Sequence, residues 1–470
     1  MARVILLTAP HPAAARYGML AGAGSNLPSL GLLSLAAVCR RAGQQVALAD
    51  AVAEDLDTGQ VLSRVLAFRP DVAGISIPSP ALFRAAALAE KIRERLPGVF
   101  LVAGGPHATA LPEAFLSDFS AFDAVVLGEG EAAFPHLVEA LAAGRPLSEV
   151  PGLAFRENGF VKRSAPRPFM ENLDDLPFPA WDLLPGFPGA FRPAALNFRA
   201  LPAAHWVSSR GCAGRCSFCD RSVFGGSPRF HSADYMVEIA ETLALRHGVR
   251  ELAFEDDQFP ADPARVAAFC ERLLARRIRL FWSANARATA VNDPALLTLM
   301  RRAGCRRLSF GIESADEGVL AAARKGVSPA LAERAVLLTR KAGMEAKGFF
   351  ILGLPGETQE SIRRTIALAE SLPLSDVSVF FATPFPGTAL YDPAAHPDFS
   401  AMNLLTPHPF PGGPGADALR QAQRLFARSF YLRPRVILAH AMRAARRPET
   451  LPPLLAALRD FLRFSVPKRR

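Results

Sequence analysis

Short apolar runs alternate with longer amphipathic segments along most of the chain, and this alternation limits the possible folds more than any other feature. Between residues 1 and 145, the apolar runs at 4–7, 71–77 and 99–103 lack a regular polar alternation. Such runs are typical of parallel strands that are buried on both faces. The helical segments between them complete a βαβα pattern. These residues therefore predict an α/β fold built on a doubly wound parallel sheet, whose ligands bind beyond the C-terminal ends of the strands.

A second βα series follows a proline-rich segment. Residues 146–200 have no helical or strand periodicity and predict a strap between domains. Within residues 201–390, six further apolar runs lie near 204–209, 250–255, 279–285, 305–312, 345–352 and 375–383. Six βα units predict a partial, open (β/α)6 barrel of the TIM type, with its chemistry at the C-terminal ends of the strands. Residues 391–470 predict a short basic helical region, with helices near 416–431 and 434–446.

The positive charge of the chain is concentrated at its C-terminal end. Residues 420–470 contain 13 Lys and Arg residues against only Glu449 and Asp460, whereas the net charge of all 470 residues is +10. A nucleic-acid enzyme more often spreads basic residues around its cleft, so no nucleic-acid partner is expected. Two interpretations of this tail remain open. It is either a helical cap on the barrel with a solvated basic face, or a surface that binds anionic membrane lipids.

The six cysteines are too few and too clustered for a disulfide framework, which favours the reducing cytoplasm. No segment offers the ~20 uninterrupted apolar residues of a membrane span. We therefore expect a cytoplasmic protein, with peripheral contact at the inner face of the membrane if the tail binds lipid.

The most specific motif is a C-x3-C-x2-C loop directly after the first predicted barrel strand, formed by Cys212, Cys216 and Cys219. Three thiolates in one loop can hold three irons of a [4Fe–4S] cluster and leave the fourth iron open. The alternative is a structural zinc site, which normally takes four ligands, and no fourth Cys or His stands at the usual spacing. The other cysteines lie on apolar positions and are expected to be inert: Cys39, Cys270 and Cys305.

This loop resembles the cluster motif of the radical S-adenosylmethionine (SAM) enzymes, whose open iron chelates the amino and carboxylate groups of SAM. Further segments at predicted strand ends agree with the resemblance, at 255–259, 282–287, 311–314 and 353–358. The resemblance implies SAM contacts by Phe218, Glu255, Asp256, Arg287 and Glu313. Each polar member of this set has a structural alternative. The acids at 255 and 256 could be a solvated strand end, Arg287 could pair with one of them, and Glu313 could be an ion-pair partner.

The N-terminal half resembles the Rossmann-like cobalamin (B12)-binding domain of the B12-dependent radical SAM enzymes, at residues 28–33, 70–76, 104–109 and 128–131. Together with the tail, the match points to the broad subgroup that includes the anaerobic Mg-protoporphyrin monomethyl ester cyclase. It implies cobalamin contacts by Ser76, Ser79, Gly104, Gly105, His107, Gly128 and Glu129. The D-x-H-x-x-G motif, whose His ligates cobalt in other B12 enzymes, is absent. Cobalamin is therefore expected without a His ligand below cobalt, and His107 could be an ordinary loop histidine.

The resemblance also implies a mechanism. A reduced cluster cleaves SAM to methionine and a 5′-deoxyadenosyl radical, which abstracts hydrogen from an unactivated carbon, and methylcobalamin then donates a methyl group. The alternatives are oxidative cyclisation or hydroxylation without methyl transfer, and a non-enzymatic cobalamin-binding sensor or carrier. A methylthiotransferase would need three N-terminal cysteines for a second cluster, and Cys39 stands alone there. The implied partners are a small-molecule substrate, which could be hydrophobic or lipid-like, and an electron donor such as flavodoxin or ferredoxin.

Overall fold

Two parallel sheets, a linking strap and a C-terminal group of helices make up the molecule. The structure is a computed structural model and describes residues 1–194, 196–395 and 398–465. The strands are β1 (Arg3–Thr8), β2 (Gln45–Asp50), β3 (Val72–Ser76), β4 (Phe100–Gly104), β5 (Ala124–Val126), β6 (Leu153–Glu157), β7 (Phe160–Arg163), β8 (Ala203–Trp206), β9 (Ser209–Arg210), β10 (Arg229–Phe230), β11 (Glu251–Phe254), β12 (Phe281–Ala286), β13 (Cys305–Glu313), β14 (Glu345–Leu352) and β15 (Asp376–Phe381). The α-helices are α1 (Ala13–Tyr17), α2 (Leu30–Arg41), α3 (Thr58–Phe68), α4 (Leu82–Arg95), α5 (Pro106–Ala110), α6 (Pro112–Asp118), α7 (Gly130–Ala142), α8 (Ala233–Glu241), α9 (Pro263–Ala275), α10 (Pro294–Arg302), α11 (Glu317–Ala322), α12 (Pro329–Lys341), α13 (Gln359–Ser371), α14 (Ala416–Tyr431), α15 (Pro434–Arg446) and α16 (Leu451–Ser465).

The N-terminal sheet has the order β2-β1-β3-β4-β5-β6-β7, and its first five strands are parallel. Helices cover both faces. Val4 and Leu6 of β1 pack in the cluster that contains α2 and α7, whereas Ile5 and Leu7 pack with α3 and α4. This two-sided burial explains the apolar runs and confirms the expected doubly wound fold. The antiparallel strands β6 and β7 extend the sheet past residue 145, into the range expected to be strap.

The second sheet is an open half-barrel of six parallel strands in the order β15-β14-β13-β12-β11-β8. All six lie close to the predicted runs, so the partial barrel is confirmed. Six barrel helices, α8 to α13, begin at a residue whose side chain accepts a hydrogen bond from the first turn, which is the usual N-cap arrangement. These caps are Ser232, Asp262, Asp293, Asp316, Ser328 and Thr358. The strand-to-helix loops between the strand ends and these caps form the mouth of the half-barrel.

The strap holds the two sheets together through backbone hydrogen bonds. The Ala180 amide donates to the Leu33 carbonyl on α2 at 3.1 Å, and the Tyr235 hydroxyl on α8 donates to the Leu176 carbonyl at 2.9 Å. Trp181 of the strap is buried and stacks on Phe187 with ring centroids 6.0 Å apart.

The C-terminal helices pack on both domains. The two expected helices are present as α14 and α15, and α14 contacts the barrel through Phe426, whose ring lies 4.9 Å from that of Phe350. A third helix, α16, was not predicted separately. It packs on the 3-10 helix Gly18–Ala23, where the Gly22 amide donates to Asp460 Oδ2 at 2.6 Å. None of the helices in the described ranges is both long and apolar enough to cross a membrane.

Candidate functional site

The cysteine loop connects β9 to β10, and the antiparallel pairing of Arg210 with Arg229 closes its base. The loop begins at Gly211, whose φ of +83° is the left-handed conformation that glycine adopts without strain. A Cβ at this position would lie 2.5 Å from the Ser227 carbonyl oxygen, so only glycine fits. This conformation lets the chain turn directly after β9, so that the cysteines that follow lie at the mouth of the half-barrel.

Two of the three cysteines lie beside Gly214, and the third is hydrogen-bonded to one of them. A Cβ built there would be 3.2 Å from Cys212 Sγ and 3.8 Å from Cys216 Sγ, while Cys216 and Cys219 are hydrogen-bonded to each other. That hydrogen bond, together with the nearby Lys325 and Arg287, lowers the pKa of Cys216 to about 6. The same bond and burial raise the pKa of Cys219. Electropositive surroundings favour thiolates, which are the ligands that an iron–sulfur cluster needs.

Cys212 receives two further hydrogen bonds. Gln258 Nε2 lies 2.8 Å from its Sγ, and the Gly214 amide lies 3.3 Å from it. N–H donors to a ligating sulfur are one means by which a protein tunes the reduction potential of a cluster. In residues 1–194, 196–395 and 398–465, no three His, Cys, Asp or Glu side chains converge as ligands of a single metal ion. The loop, with three thiols and no fourth ligand at the expected spacing, fits a cluster that keeps one iron open.

Glu313 and Lys325 form a buried ion pair beside the cysteines, with Lys325 Nζ 2.6 Å from Glu313 Oε1. Glu313 ends β13 at a φ of +66°, and Gly311 leaves room because a Cβ there would lie 2.6 Å from Lys325 Nζ. The ammonium also lies 5.8 Å from the centre of the Phe218 ring. The ion-pair alternative for Glu313 is therefore realised in this structure. The sequence reasoning missed Lys325, which follows α11 and has no motif of its own.

Arg287 lies between the cysteine loop and the loop that carries Lys325. Its guanidinium donates to the Lys325 carbonyl, and Cβ atoms at Gly214 and Gly326 would lie 2.7 Å and 2.8 Å from its nitrogens. The alternative for Arg287, a pairing with Glu255 or Asp256 after β11, is not formed. Of those acids, Glu255 is exposed and accepts a hydrogen bond from Asn285 at 3.2 Å.

Asp256 has a different environment from its neighbour. The carboxylate is 1% exposed and accepts hydrogen bonds from the Ser208 amide and hydroxyl, both at 2.6 Å, and from the Ser209 hydroxyl at 2.7 Å. Burial raises its pKa. In this structure Asp256 therefore fastens the end of β8 to β11, and a contact with SAM would require these hydrogen bonds to open.

The second part of the site is a cavity of about 130 Å³ at the C-terminal edge of the N-terminal sheet. Its lining includes five residues of the expected cobalamin set: Ser76, Gly104, Gly105, Gly128 and Glu129. Three glycines of the segments that resemble the cobalamin-binding domain, although not among the expected contacts, also line it: Gly31, Gly74 and Gly130. A Cβ at Gly74 would lie 2.9 Å from Leu6, and one at Gly130 would lie 3.0 Å from Leu35. Such a glycine-lined slot lets backbone approach an inserted group closely, and its size fits one part of cobalamin rather than the whole cofactor.

Ser79 and His107 lie outside this cavity. His107 is 3% exposed, its Nδ1 lies 3.0 Å from Ser79 Oγ, and its ring packs edge-on against Phe399 at 4.7 Å. Burial lowers its pKa to about 4, so the ring is neutral at physiological pH. In this structure His107 is therefore a buried, neutral residue of the short helix α5 that follows the glycine turn, and its ring does not line the cavity.

Ion pairs join the cobalamin edge to the cysteine loop. Glu129 binds Arg229 through both oxygens, at 2.9 Å and 2.7 Å, and Glu131 pairs with Arg210 just before the cysteines. We call these four residues the interdomain clamp. Two residues of the cysteine loop complete the wall of the glycine-lined cavity: Val223 and Phe224. The cysteine loop is therefore a wall that the cluster site and the glycine-lined cavity share.

Comparison with known proteins identifies the family. The family model described as the radical SAM superfamily matches residues 206–369, and that of the B12 binding domain matches residues 17–138. An uncharacterized methyltransferase of Pyrococcus horikoshii is 34% identical over 427 residues, which are 88% of this chain and 90% of that protein. The chain belongs to the cobalamin-dependent radical SAM enzymes. As a member, it uses a [4Fe–4S] cluster, SAM and cobalamin, for which the cysteine loop and the glycine-lined cavity supply fitting residues.

Two further similarities bear on this cobalamin-dependent radical SAM enzyme. The anaerobic magnesium-protoporphyrin IX monomethyl ester cyclase of Rubrivivax gelatinosus is 29% identical over 393 residues, covering 81% of this chain and 70% of that protein. The solved structure of the radical SAM methyltransferase TsrM from Kitasatospora setae, with cobalamin and [4Fe–4S] cluster bound, superposes with a TM-score of 0.67 at 21% identity. That match covers 83% of this chain and 74% of the other. The structural likeness shows a shared fold.

Proposed function

We propose that this enzyme transfers a methyl group to an unactivated carbon of a small molecule. The observation that carries the proposal is the shared wall between the two cofactor sites. Gly104 and Gly128 line the cavity on the cobalamin side, and Val223 and Phe224 line it from the barrel side. A substrate bound between this wall and the mouth of the half-barrel would be within reach of both cofactors. The names of the Pyrococcus and Kitasatospora relatives, both methyltransferases, support the same reaction.

The cofactors supply the bond chemistry when bound: the cluster with SAM provides a radical that removes hydrogen, and cobalamin provides the methyl group. The protein supplies positions and charges. Cys212, Cys216 and Cys219 hold the cluster, and the Lys325 ammonium offsets part of the negative charge of their thiolates. Arg287 suits the carboxylate of SAM because a guanidinium can bind it through two parallel hydrogen bonds. Glu255 and Glu313 would accept from the amino or ribose groups of SAM, and the Phe218 ring would supply an apolar contact to SAM.

Two aromatic rings on the inner face of the half-barrel offer apolar contact to a substrate, beside the polar side chains of Asn285, Arg307 and Lys347. Phe349 of β14 and Phe380 of β15 are only partly buried and stack with ring centroids 6.3 Å apart, whereas the next residue of each strand is fully buried in the core. Half-exposed aromatic rings at a barrel mouth offer apolar contact area to a ligand. We therefore include lipid-like molecules in the substrate class. A flavodoxin or ferredoxin in the cytoplasm would supply the electron for the cluster.

Oxidative cyclisation or hydroxylation is the second candidate, and the similarity to the magnesium-protoporphyrin cyclase favours it. The two candidates differ in what becomes of SAM. Methyl transfer consumes two molecules of SAM for each product, one to form 5′-deoxyadenosine and one to remethylate cobalamin, which yields S-adenosylhomocysteine. Cyclisation yields no S-adenosylhomocysteine.

The test is anaerobic turnover of the loaded enzyme with SAM that carries a deuterated methyl group, in the presence of a lipid extract. We expect 5′-deoxyadenosine and S-adenosylhomocysteine in equal amounts, together with a product that carries the labelled methyl group. The Cys216→Ala variant should form none of them and serves as the control. Formation of 5′-deoxyadenosine with an oxidised, unlabelled product would overturn methyl transfer in favour of the second candidate.

A further inference from the structure

The last two helices expose apolar side chains that the rest of the molecule does not cover. On α16 four leucines are spaced by four, three and four residues, so they form one stripe along one side of the helix. These are Leu451, Leu455, Leu458 and Leu462, which are 44–55% exposed. On α15 the exposed apolar residues are Ile437, Leu438 and Met442, at 53%, 58% and 45%. We call these seven residues the C-terminal apolar face.

Packing within the chain does not account for this face. α14 behaves as a cap on the barrel, because it buries Leu419, Phe426 and Phe430 completely. By contrast, α15 buries only Val436, and α16 buries only Asp460 and Ser465. Half-exposed leucines in a regular stripe are unusual on a monomer and indicate an interaction surface. The cap interpretation therefore holds for α14 but leaves the outer sides of α15 and α16 unexplained.

The helices that carry the C-terminal apolar face, together with α14, are rich in arginine. Residues 420–465 contain ten arginines against Glu449 and Asp460. Both acids are engaged, since Glu449 lies 3.6 Å from Arg250 and Asp460 is buried on the Gly22 amide. Among the described residues, the exposed Arg446 and Arg463 have no acidic partner. The surface thus combines apolar side chains with uncompensated cations.

This combination selects one class of partner. A second copy of the chain would bring arginines opposite arginines, which opposes association, and a nucleic acid would leave the leucines in water. An anionic bilayer matches both features, because the basic residues approach the lipid headgroups while the leucines enter the interface. We propose that α15 and α16 bind the surface of an anionic phospholipid membrane.

The position of α16 indicates what membrane binding would do for the enzyme. The helix packs on Gly18–Ala23, which follows the C-terminal end of β1, and ligands of a parallel sheet bind at that edge. Met19 in this segment is itself 48% exposed and extends the apolar surface. Membrane binding would therefore hold the ligand-binding edge of the N-terminal domain near the lipid. The inference concerns the surface and holds whether or not the enzyme transfers a methyl group.

The test is cosedimentation of the full chain with vesicles of phosphatidylcholine alone or mixed with phosphatidylglycerol, at low and high salt. We expect binding only to the anionic vesicles, and at least a tenfold loss of binding when the salt concentration is raised, because screening weakens attraction between exposed charges. Equal binding to both kinds of vesicle, or binding that salt does not change, would overturn the proposal.

Exposed positions allow variants that leave the fold intact. The double variants Leu455→Gln/Leu458→Gln and Arg446→Gln/Arg463→Gln should each weaken vesicle binding about tenfold. Each arginine near the headgroups, and each leucine that enters the lipid interface, contributes a few-fold to the affinity. The matched controls are exposed residues elsewhere on the molecule: Leu245→Gln/Leu337→Gln and Arg95→Gln/Arg334→Gln. They should bind like the wild type.

Circular dichroism and melting temperature show whether each variant is folded. Loss of binding in the controls equal to that in the α15 and α16 variants would mean that the attraction is nonspecific and would overturn the proposal. A second result would also overturn the proposal: a wild-type dimer in sedimentation equilibrium that the leucine variant does not form, together with no binding of the wild type to vesicles. The partner of this surface would then be a second copy of the chain.

Discussion

Removing one charge of the buried ion pair between Glu131 and Arg210 should destabilise the whole molecule, because this pair belongs to the interdomain clamp. The two side chains are only 7–8% exposed, and the Ser34 hydroxyl also donates to Glu131 at 2.8 Å. Burial alone would raise the pKa of Glu131, but the Arg210 charge and hydrogen bond outweigh it and lower the pKa. The glutamate is therefore charged at neutral pH, and its charge compensates that of the buried Arg210.

The environment of each residue sets the size of the effect. Breaking a buried pair by removing one partner costs about 3–5 kcal/mol, because an uncompensated charge stays buried. In Glu131→Gln, Arg210 keeps Glu129 at 3.4 Å, so we expect a loss near the low end, about 3 kcal/mol. In Arg210→Met, two carboxylates remain and only Glu129 keeps its partner Arg229, so we expect about 4 kcal/mol. The double variant should lose about 2 kcal/mol less than the sum of the two.

Urea unfolding followed by tryptophan fluorescence measures these losses, since Trp181 lies in the strap and Trp206 in the barrel. The matched control is Glu157→Gln. Its exposed pair with Lys162 should contribute less than about 1 kcal/mol. Cobalamin affinity should also fall in Glu131→Gln, because the cavity wall moves with the clamp. If Glu131→Gln loses no more stability than Glu157→Gln, or if the two single losses simply add, the clamp does not hold the domains as argued.

Three further predictions concern single residues. Cys216→Ala should abolish the visible absorbance of the reconstituted cluster and the cleavage of SAM, whereas Cys270→Ala should keep both; equal iron loss in the two variants would contradict the ligand assignment. His107→Ala should leave the paramagnetic resonance spectrum of Co(II) cobalamin unchanged, and a nitrogen coupling that disappeared in the variant would show that this ring binds cobalt. Burial raises the pKa of Glu357 from 4.5 to about 7, so the folded chain keeps a proton that the unfolded chain releases in this range. The free energy of unfolding should therefore fall as pH rises from about 4.5 to 7 and stay level above pH 7. Glu357→Gln should lack this pH dependence. Melting temperatures of the two proteins that change in parallel with pH would contradict the prediction.

The elements that the sequence predicted well are those whose burial leaves a local pattern. Strands buried on both faces appear as continuous apolar runs, and β1 and β14 lie where the runs are. The barrel helices begin at Ser, Thr or Asp residues whose role as caps depends only on the next turn. The helix α16 also had a local signal, because Leu451, Leu455, Leu458 and Leu462 repeat at helical spacing, but the prolines at 452 and 453 interrupt the start of the pattern.

The contacts that the sequence could not predict join distant segments. Lys325 reaches the cysteine loop only because α11 returns the chain to the mouth, more than a hundred residues after Cys219. Glu129 was expected to contact cobalamin. In the structure its carboxylate binds Arg229, which lies one hundred residues later in the chain and in the other domain. The positions of such charged residues show no helical or strand periodicity in the sequence. Which of them form ion pairs depends on how the two domains pack against each other. The segment 70–76 was singled out by its resemblance, but the crowding of Gly74 by Leu6 and Phe134 could not be predicted, since those side chains come from other elements.

The contact between Gly22 and Asp460 spans 438 residues and sets an order of events during synthesis. At translation rates of about 5–20 residues per second, the ribosome needs roughly 20–90 s to make the chain between them. The N-terminal domain can fold during this interval, but the segment Gly18–Ala23 must wait without the helix that covers it. Until α16 is released, this segment beside the C-terminal end of β1 stays uncovered, so α16 can dock only after nearly the whole chain has been made.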